Sequence, residues 1–216
     1  MVERQSPPSP DVPGATPTAN AAKVALRDQL LTARHRRGLL EVGAAGRAIA
    51  EHVLATPEVR RAATVAAYVS IGAEPGTSAL LDGLVALGKR VVLPVVLPGL
   101  DLDWAVYHGP TALAPARRGL LEPVGPRLGL EAVATADVVL VPGLAVSPTG
   151  MRLGRGGGSY DRALGRVPVG TFTCVLLYDD EVGLEVPTEP HDRPVLAAAT
   201  PSGVVRFSPR RGPARG

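Results

Sequence analysis

The stretch Arg152 to Leu164, RLGRGGGSYDRAL, sets two arginines and four glycines ahead of an aromatic ring and an acid. Gly154, Gly156, Gly157 and Gly158 remove side chains where a loop must let something approach its backbone, and Arg152 and Arg155 put positive charge beside it. That is the chemistry of a phosphate cradle. Ser159, Tyr160 and Asp161 open what reads as a helix, SYDRALG, with Ser159 as its cap and Asp161 near its positive end. The stretch is not a Walker A sequence, because no GxxxxGK followed by Ser or Thr occurs. Ser159 also breaks the G-x-G-x-x-G dinucleotide fingerprint. On glycine count alone, a structural turn competes evenly with a nucleotide site.

The elements that must position this loop follow from apolar periodicity. Val138 to Val141 read as a buried strand, since four consecutive apolar residues suit a sheet covered on both faces, and Pro142-Gly143 ends it. Asn20 is expected to cap a helix over Ala21 to about Arg37, with Val24, Leu26, Leu30 and Leu31 as its apolar stripe. A second helix is expected from Leu39 to about Leu54, then a strand from Thr64 to Val69. Thr77 or Ser78 caps a further helix that Gly88 stops, and the strand Arg90 to Val96 completes a β-loop-α-β unit. Leu102 to Tyr107 read as a short strand, Leu113 to Pro126 as a proline-broken loop, and Arg127 to Ala136 as a short helix. Strands are expected within Val167 to Tyr178, at Leu196 to Thr200 and at Gly203 to Phe207. Alternating strands and helices of this kind make an α/β domain with a mainly parallel sheet. Ligands of such sheets gather outside the carboxyl ends of the strands, which puts Ser70 to Glu74 and Ser147 to Tyr160 on one rim.

Other residues have two readings each. Lys23 and Arg27 share a helical face, either a solvated basic surface or a nucleotide contact. Glu74 is a loop carboxylate at a helix start or a ligand group, Trp104 a packing residue or an aromatic beside a ligand ring. Asp179, Asp180 and Glu181 read as a solvated acidic turn, and Asp192 as a turn residue or a metal ligand. Cys174 reads as a small buried hydrophobe.

The order strand, Pro-Gly, arginine, glycines, aromatic, aspartate, helix resembles the signature of the 5-formyltetrahydrofolate cyclo-ligase family, also called methenyltetrahydrofolate synthetase. The matching residues are Pro142, Gly143, Gly150, Arg152, Leu153, Gly154, Arg155, Gly156, Gly158, Tyr160 and Asp161. The resemblance runs from Lys23 to about Val205. It includes a Lys-x-x-x-Arg pair in the first helix, a glutamate at Glu74, the turn Gly119 to Pro123 and the pair His191-Asp192. It implies a three-layer α/β/α fold related to the CoA-transferase and ribose-phosphate isomerase architecture. It also implies ATP-dependent ring closure of 5-formyltetrahydrofolate to 5,10-methenyltetrahydrofolate, with release of ADP and phosphate.

The roles implied by the resemblance are as follows. ATP contacts fall to Lys23, Arg27 and the run Arg152, Leu153, Gly154, Arg155, Gly156, Gly157, Gly158, Ser159 and Tyr160. Arg152, Arg155 and Tyr160 are the catalytic candidates. Magnesium goes to Asp161 and Asp192, and the folate to Val69, Glu74 and Trp104. The chain departs from the family at Val146 and Ser147, where Phe-Asp is usual, at Ser159, where a tyrosine is usual, and at Thr200-Pro201. These departures leave two alternatives open: a degenerate paralogue that binds nucleotide or folate without turnover, and an ATP-dependent enzyme acting on a different carboxamide or carboxylate.

Composition narrows the classes. The 216 residues suffice for one full core, and 45% hydrophobic with 20% charged residues belong to a globular chain. The net charge of +3 is dispersed, which argues against a nucleic-acid partner. Residues 1–19, rich in proline, are expected to be a disordered tail, 20–207 a single domain, and 208–216 a basic tail. A single cysteine and the lack of an apolar leader or membrane-length stretch predict a cytoplasmic protein, taken here as a monomer acting on small molecules.

Overall fold

The computed structural model describes residues 18–207, so the expected tails lie outside it except for Thr18 and Ala19. Ala19 already opens the first helix and Thr18 caps it. The elements, in order, are α1 (Ala19–His35), α2 (Leu39–Ala55), α3 (Pro57–Arg61), β1 (Thr64–Ala66), α4 (Ser78–Ala86), β2 (Arg90–Val96) and β3 (Leu102–Val106). The hairpin β4 (Leu113–Pro115) and β5 (Leu121–Pro123) follows, then β6 (Val138–Pro142), β7 (Ala145–Val146) and β8 (Arg152–Leu153). The chain closes with α5 (Ser159–Arg166), β9 (Phe172–Leu176), β10 (Ala197–Thr200) and β11 (Gly203–Arg206).

Seven strands form one sheet in the order β11-β10-β9-β6-β1-β2-β3. The five inner strands pair in parallel, and the edge strands β3 and β11 run antiparallel to β2 and β10. Pleating divides the apolar residues between two layers. Val138, Leu140 and Leu176 join Ile49 and Val53 of α2 and Leu80 and Leu84 of α4 on one face. Val139, Val141 and Val175 join Ala163 and Leu164 of α5 on the other. This is the mainly parallel α/β sheet that the pattern predicts, in the three-layer form that the resemblance implies. Side chains such as Leu84, Leu93 and Val141 are fully buried, each worth about 1.5–3 kcal/mol of transfer free energy.

Between β1 and β6 the winding reverses, since β1 leads by way of α4 to β2 while β6 leads to β9 on the other side. A crevice forms at such a switch point, beyond the carboxyl ends of the strands. Two further pieces build its walls. The β4-β5 hairpin occupies what the sequence predicts to be an irregular loop, and Glu122 fastens it to the sheet by accepting from the Val96 amide at 2.9 Å. The β7-β8 hairpin turns the chain back onto the rim after β6, with Gly150 at φ +82° in its turn.

α1 belongs to neither face of the sheet. Its Leu26, Leu30 and Leu31 pack on Leu144, Ala145, Leu153 and Val186, a separate small cluster over the β7-β8 hairpin, while Val24 is exposed. The true cap of α1 is Thr18, whose hydroxyl accepts from the Ala21 amide; Asn20 lies within the helix. Arg34, 1% exposed, anchors the far end of α1. Its Nε and Nη2 donate to the two oxygens of Glu181 at 2.6 and 2.7 Å, and Nη2 also donates to the Gly143 carbonyl at 2.7 Å. The expected solvated acidic turn is therefore corrected at Glu181, which is 2% exposed and fully paired; only Asp179 and Asp180 remain exposed. Among the described residues no helix is long and apolar enough to cross a membrane.

Candidate active site

A cavity of 710 Å³ lies at the carboxyl ends of β1, β2 and β6. Its wall includes Lys23 and Arg27 from α1, Val69 and Glu74 after β1, and the whole run from Arg152 to Asp161. Asp192 comes from the loop before β10. Segments from both ends and the middle of the chain meet here, and every site residue expected from the sequence lines the cavity except Trp104. Its packing reading holds and its substrate-binding role is corrected: it is 1% exposed and packs in the core cluster that includes Leu102, Val133 and Val139. Its neighbours Leu102 and Pro94 reach the cavity instead.

The glycine loop is held by its carbonyls. Arg27 Nε donates to the Gly154 carbonyl at 2.9 Å, and Arg162 Nη2 donates to Gly157 at 3.2 Å and to Leu100 at 2.7 Å. The five successive amides of Gly154, Arg155, Gly156, Gly157 and Gly158 donate to no other described residue. Gly156 and Gly158 have φ of +101° and +66°, conformations that glycine adopts without strain. A run of unspent N–H groups at the start of a helix is an anion cradle. Gly158 is the residue that caps α5, so Ser159, read as the cap, stands inside the helix instead and lines the cavity.

Charges around the loop are paired in advance. Arg152, 5% exposed, donates from Nη2 to Asp161 Oδ1 at 2.8 Å and from Nη1 to the Pro142 carbonyl at 3.3 Å. Lys23 is buried, not solvated, and donates to Glu189 at 2.7 Å and Asp192 at 2.6 Å. Burial lowers the affinity of Lys23 for its proton, but the hydrogen bonds and charges of Asp192 and Glu189 outweigh it and hold the ammonium above the usual lysine range. Asp192 shows the reciprocal effect: burial raises its pKa, yet Lys23 and the Glu189 amide bring it below the usual carboxylate range. Both partners are therefore charged at neutral pH.

The opposite wall is drier. Glu74, 5% exposed, accepts from the Ile71 amide at 2.9 Å and faces Arg155 Nε at 3.3 Å, and burial still pushes its carboxyl above the ordinary value. Tyr160 stands edge-to-face with Tyr68, ring centres 6.5 Å apart, and burial keeps both phenols protonated. The Tyr68 hydroxyl is buried without a partner among the described residues. Cys174 is the inert core residue expected, its thiol pushed up to about 12 by burial.

Sequence reasoning missed Tyr68, Glu189, Arg118 and Leu100, all of which line the cavity. No local motif marks them, and each reaches the site through tertiary packing. The departures at Val146 and Ser147 prove remote from it. Val146 is fully buried, and the Ser147 hydroxyl accepts from the Thr149 and Met151 amides to shape the β7-β8 turn; neither lines the cavity.

Comparison with known proteins gives a consistent picture. Residues 19–201 match the model of the 5-formyltetrahydrofolate cyclo-ligase family. The chain is 46% identical over 149 residues to a 5-formyltetrahydrofolate cyclo-ligase of Mycolicibacterium smegmatis, covering 66% of this chain and 76% of that one. It is 34% identical over 167 residues to the Escherichia coli protein of that name, covering 74% and 89%. Its fold is similar to the solution structure of Aquifex aeolicus 5,10-methenyltetrahydrofolate synthetase, with a TM-score of 0.74 and 29% identity over 88% of this chain and 95% of that one.

Proposed function

The chain belongs to the 5-formyltetrahydrofolate cyclo-ligase family, and from that premise we propose that it uses ATP to close 5-formyltetrahydrofolate to 5,10-methenyltetrahydrofolate, releasing ADP and phosphate. The formamide oxygen is a poor leaving group. Transfer of the γ-phosphoryl group to it makes it a good one, and nitrogen-10 then attacks the activated carbon while the phosphate departs. Such a route asks the protein for alignment and for neutralisation of phosphate charge.

The residues divide that work. The amides of Gly154 to Gly158, with Arg152 and Arg155, receive the phosphates, and Lys23 and Arg27 contact the nucleotide from α1. Glu74 and Val69 hold the pterin end, Tyr160 packs on a ligand ring, and the buried walls exclude water from the activated intermediate. The five unspent amides beside two arginines, in the same cavity as the buried Glu74, carry this reading.

The donor chemistry also fits magnesium. Asp161 and Asp192 offer oxygen ligands on the cavity wall, and Asp161 Oδ2 and Asp192 Oδ1 accept no hydrogen bond from the described residues. A magnesium ion keeps several waters and needs few protein ligands, so two carboxylates with phosphate oxygens suffice. Bound there, it neutralises phosphate charge. Glu189, His191 and Asp192 cluster with ligand atoms within 4.8 Å of one another, so Glu189 adds a carboxylate at the same edge. We further propose that the protein acts as a monomer in the cytoplasm, which size-exclusion chromatography and cell fractionation test.

Incubating the protein with 5-formyltetrahydrofolate and MgATP and following the methenyl absorbance tests the reading. ADP release without methenyl product points to another acceptor, and nucleotide binding with neither points to a non-catalytic paralogue. Arg155→Ala is the informative variant, because that side chain is 44% exposed and belongs to no core cluster. It is expected to lower kcat/KM by about 10²-fold, in line with removal of one charge-stabilising group.

A further inference from the structure

The loop that follows β1 makes a turn whose backbone is left open. Gly72 stands there at φ +57°, and the amides of Gly72 and Ala73 donate to no other described residue. Successive free amides in such a turn form an anion-binding nest. They border a side cleft of 290 Å³ beside the main cavity, and Arg34 and His35 at the end of α1 supply another part of its wall. Among the described residues no aspartate or glutamate lines it. Arg34 is 1% exposed, and its Nη1 is buried without a partner although Nε and Nη2 are bound to Glu181. A buried donor of a charged group is costly to leave unpaired, so it marks a place prepared for an acceptor.

Two more guanidinium groups reach the cleft where it meets the main cavity. Arg118, in the turn between β4 and β5, takes part in no ion pair among the described residues. It is held at φ 61° and ψ 25°, a left-handed conformation that a non-glycine residue keeps only where its surroundings demand it. Arg155 lines both spaces, and its Nε lies 3.3 Å from Glu74 of the main cavity.

We propose that this cleft is a separate site for free orthophosphate, and that phosphate bound there draws Arg155 away from Glu74 and slows turnover. Nest amides and guanidinium forks are both partners of phosphate oxygens. A carboxylate would use few of these donors, whereas a phosphate ion spreads more charge over more oxygens. The site is distinct from the glycine loop, whose amides belong to the main cavity. Binding of the ion stands by itself. The slowing rests on the cyclo-ligase reading, and it makes the phosphate released by that reaction a brake on the enzyme.

Calorimetric titration with sodium phosphate, in the presence of a saturating non-hydrolysable MgATP analogue that fills the glycine loop, tests the site. A single phosphate per chain is expected still to bind. His35→Glu sets a carboxylate in the cleft away from the main cavity, and Arg118→Asn tolerates the left-handed backbone. Each should weaken phosphate binding about tenfold, the size of one charge-assisted hydrogen bond. No binding to wild type with the analogue present overturns the proposal, as does binding that both substitutions leave unchanged. Displacement of the ion by 5-formyltetrahydrofolate overturns it too, since the cleft then belongs to the folate. Turnover gives the second readout: at saturating MgATP, phosphate should lower the kcat of wild type, while chloride at equal ionic strength should not. His35→Glu should keep the phosphate-free kcat and lose the inhibition. Inhibition that excess MgATP abolishes, or that His35→Glu retains, belongs to the main cavity and sinks the brake. If wild type makes no methenyl product at all, the cyclo-ligase reading fails, and the calorimetry still decides the site.

Discussion

Tyr68 illustrates how a single atom can be placed for something other than stability. Its side chain is 3% exposed, its ring supports Tyr160, and its hydroxyl has no described partner. An unpaired buried hydroxyl costs about 1–3 kcal/mol of desolvation, so Tyr68→Phe is expected to raise stability by about 1–2 kcal/mol in urea denaturation. An unchanged or lowered midpoint would mean that the hydroxyl is satisfied after all. Lys23 lies at the other extreme, with two carboxylates on one ammonium. The same arrangement keeps Asp192 ionised.

At the scale of elements, the glycine loop owes its shape to what grips it. Arg27 and Arg162 take its carbonyls, α5 begins at its end, and the amides are left facing away from any protein acceptor. Gly156→Ala tests whether that shape matters. A Cβ there meets only the Arg27 guanidinium at ordinary contact distance, so crowding is minor, but φ of +101° excludes an alanine without strain. The variant is expected to lose about 1–3 kcal/mol of stability or to rearrange the loop. ATP affinity measured by calorimetry should fall, and affinity retained at the wild-type level would remove the loop backbone from phosphate binding.

Across the whole molecule, α1 is the piece that is bolted on. It adds little to the two faces of the sheet, yet it supplies Lys23 and Arg27 to the cavity and is secured by Arg34 at the opposite end. Glu181 accepts from Arg34 and from the Tyr178 amide, so this one pair ties α1 to the loops after β6 and β9. Arg34→Met strands the Glu181 charge in the interior and is expected to cost about 3–5 kcal/mol, read as a drop in the denaturation midpoint. The double variant Arg34→Met with Glu181→Gln should recover part of that loss. No recovery would show that packing, not charge, is what the pair supplies.

Much of the fold was legible in local pattern. The strand β2 runs over the residues expected of it, and α2 and β6 fall within a residue of expectation, because apolar pattern and burial coincide where a segment crosses the core. The glycine loop was visible as a loop, although its glycines alone left a structural turn and a phosphate cradle level. What the chain order did not reveal was which charges meet. Lys23 and Asp192 are 169 positions apart and Arg34 and Glu181 are 147 apart, so a lysine on a helix and acids in a turn read as solvated surface until α1 folds across the rim. Trp104 was drawn into the core for the same reason, as its position in β3 was plain but the side of the sheet it would face was not. Local sequence sets conformation through short-range sterics and periodicity, whereas the pairing of charges and the walls of the cavity depend on contacts between distant segments that only the packed sheet brings together.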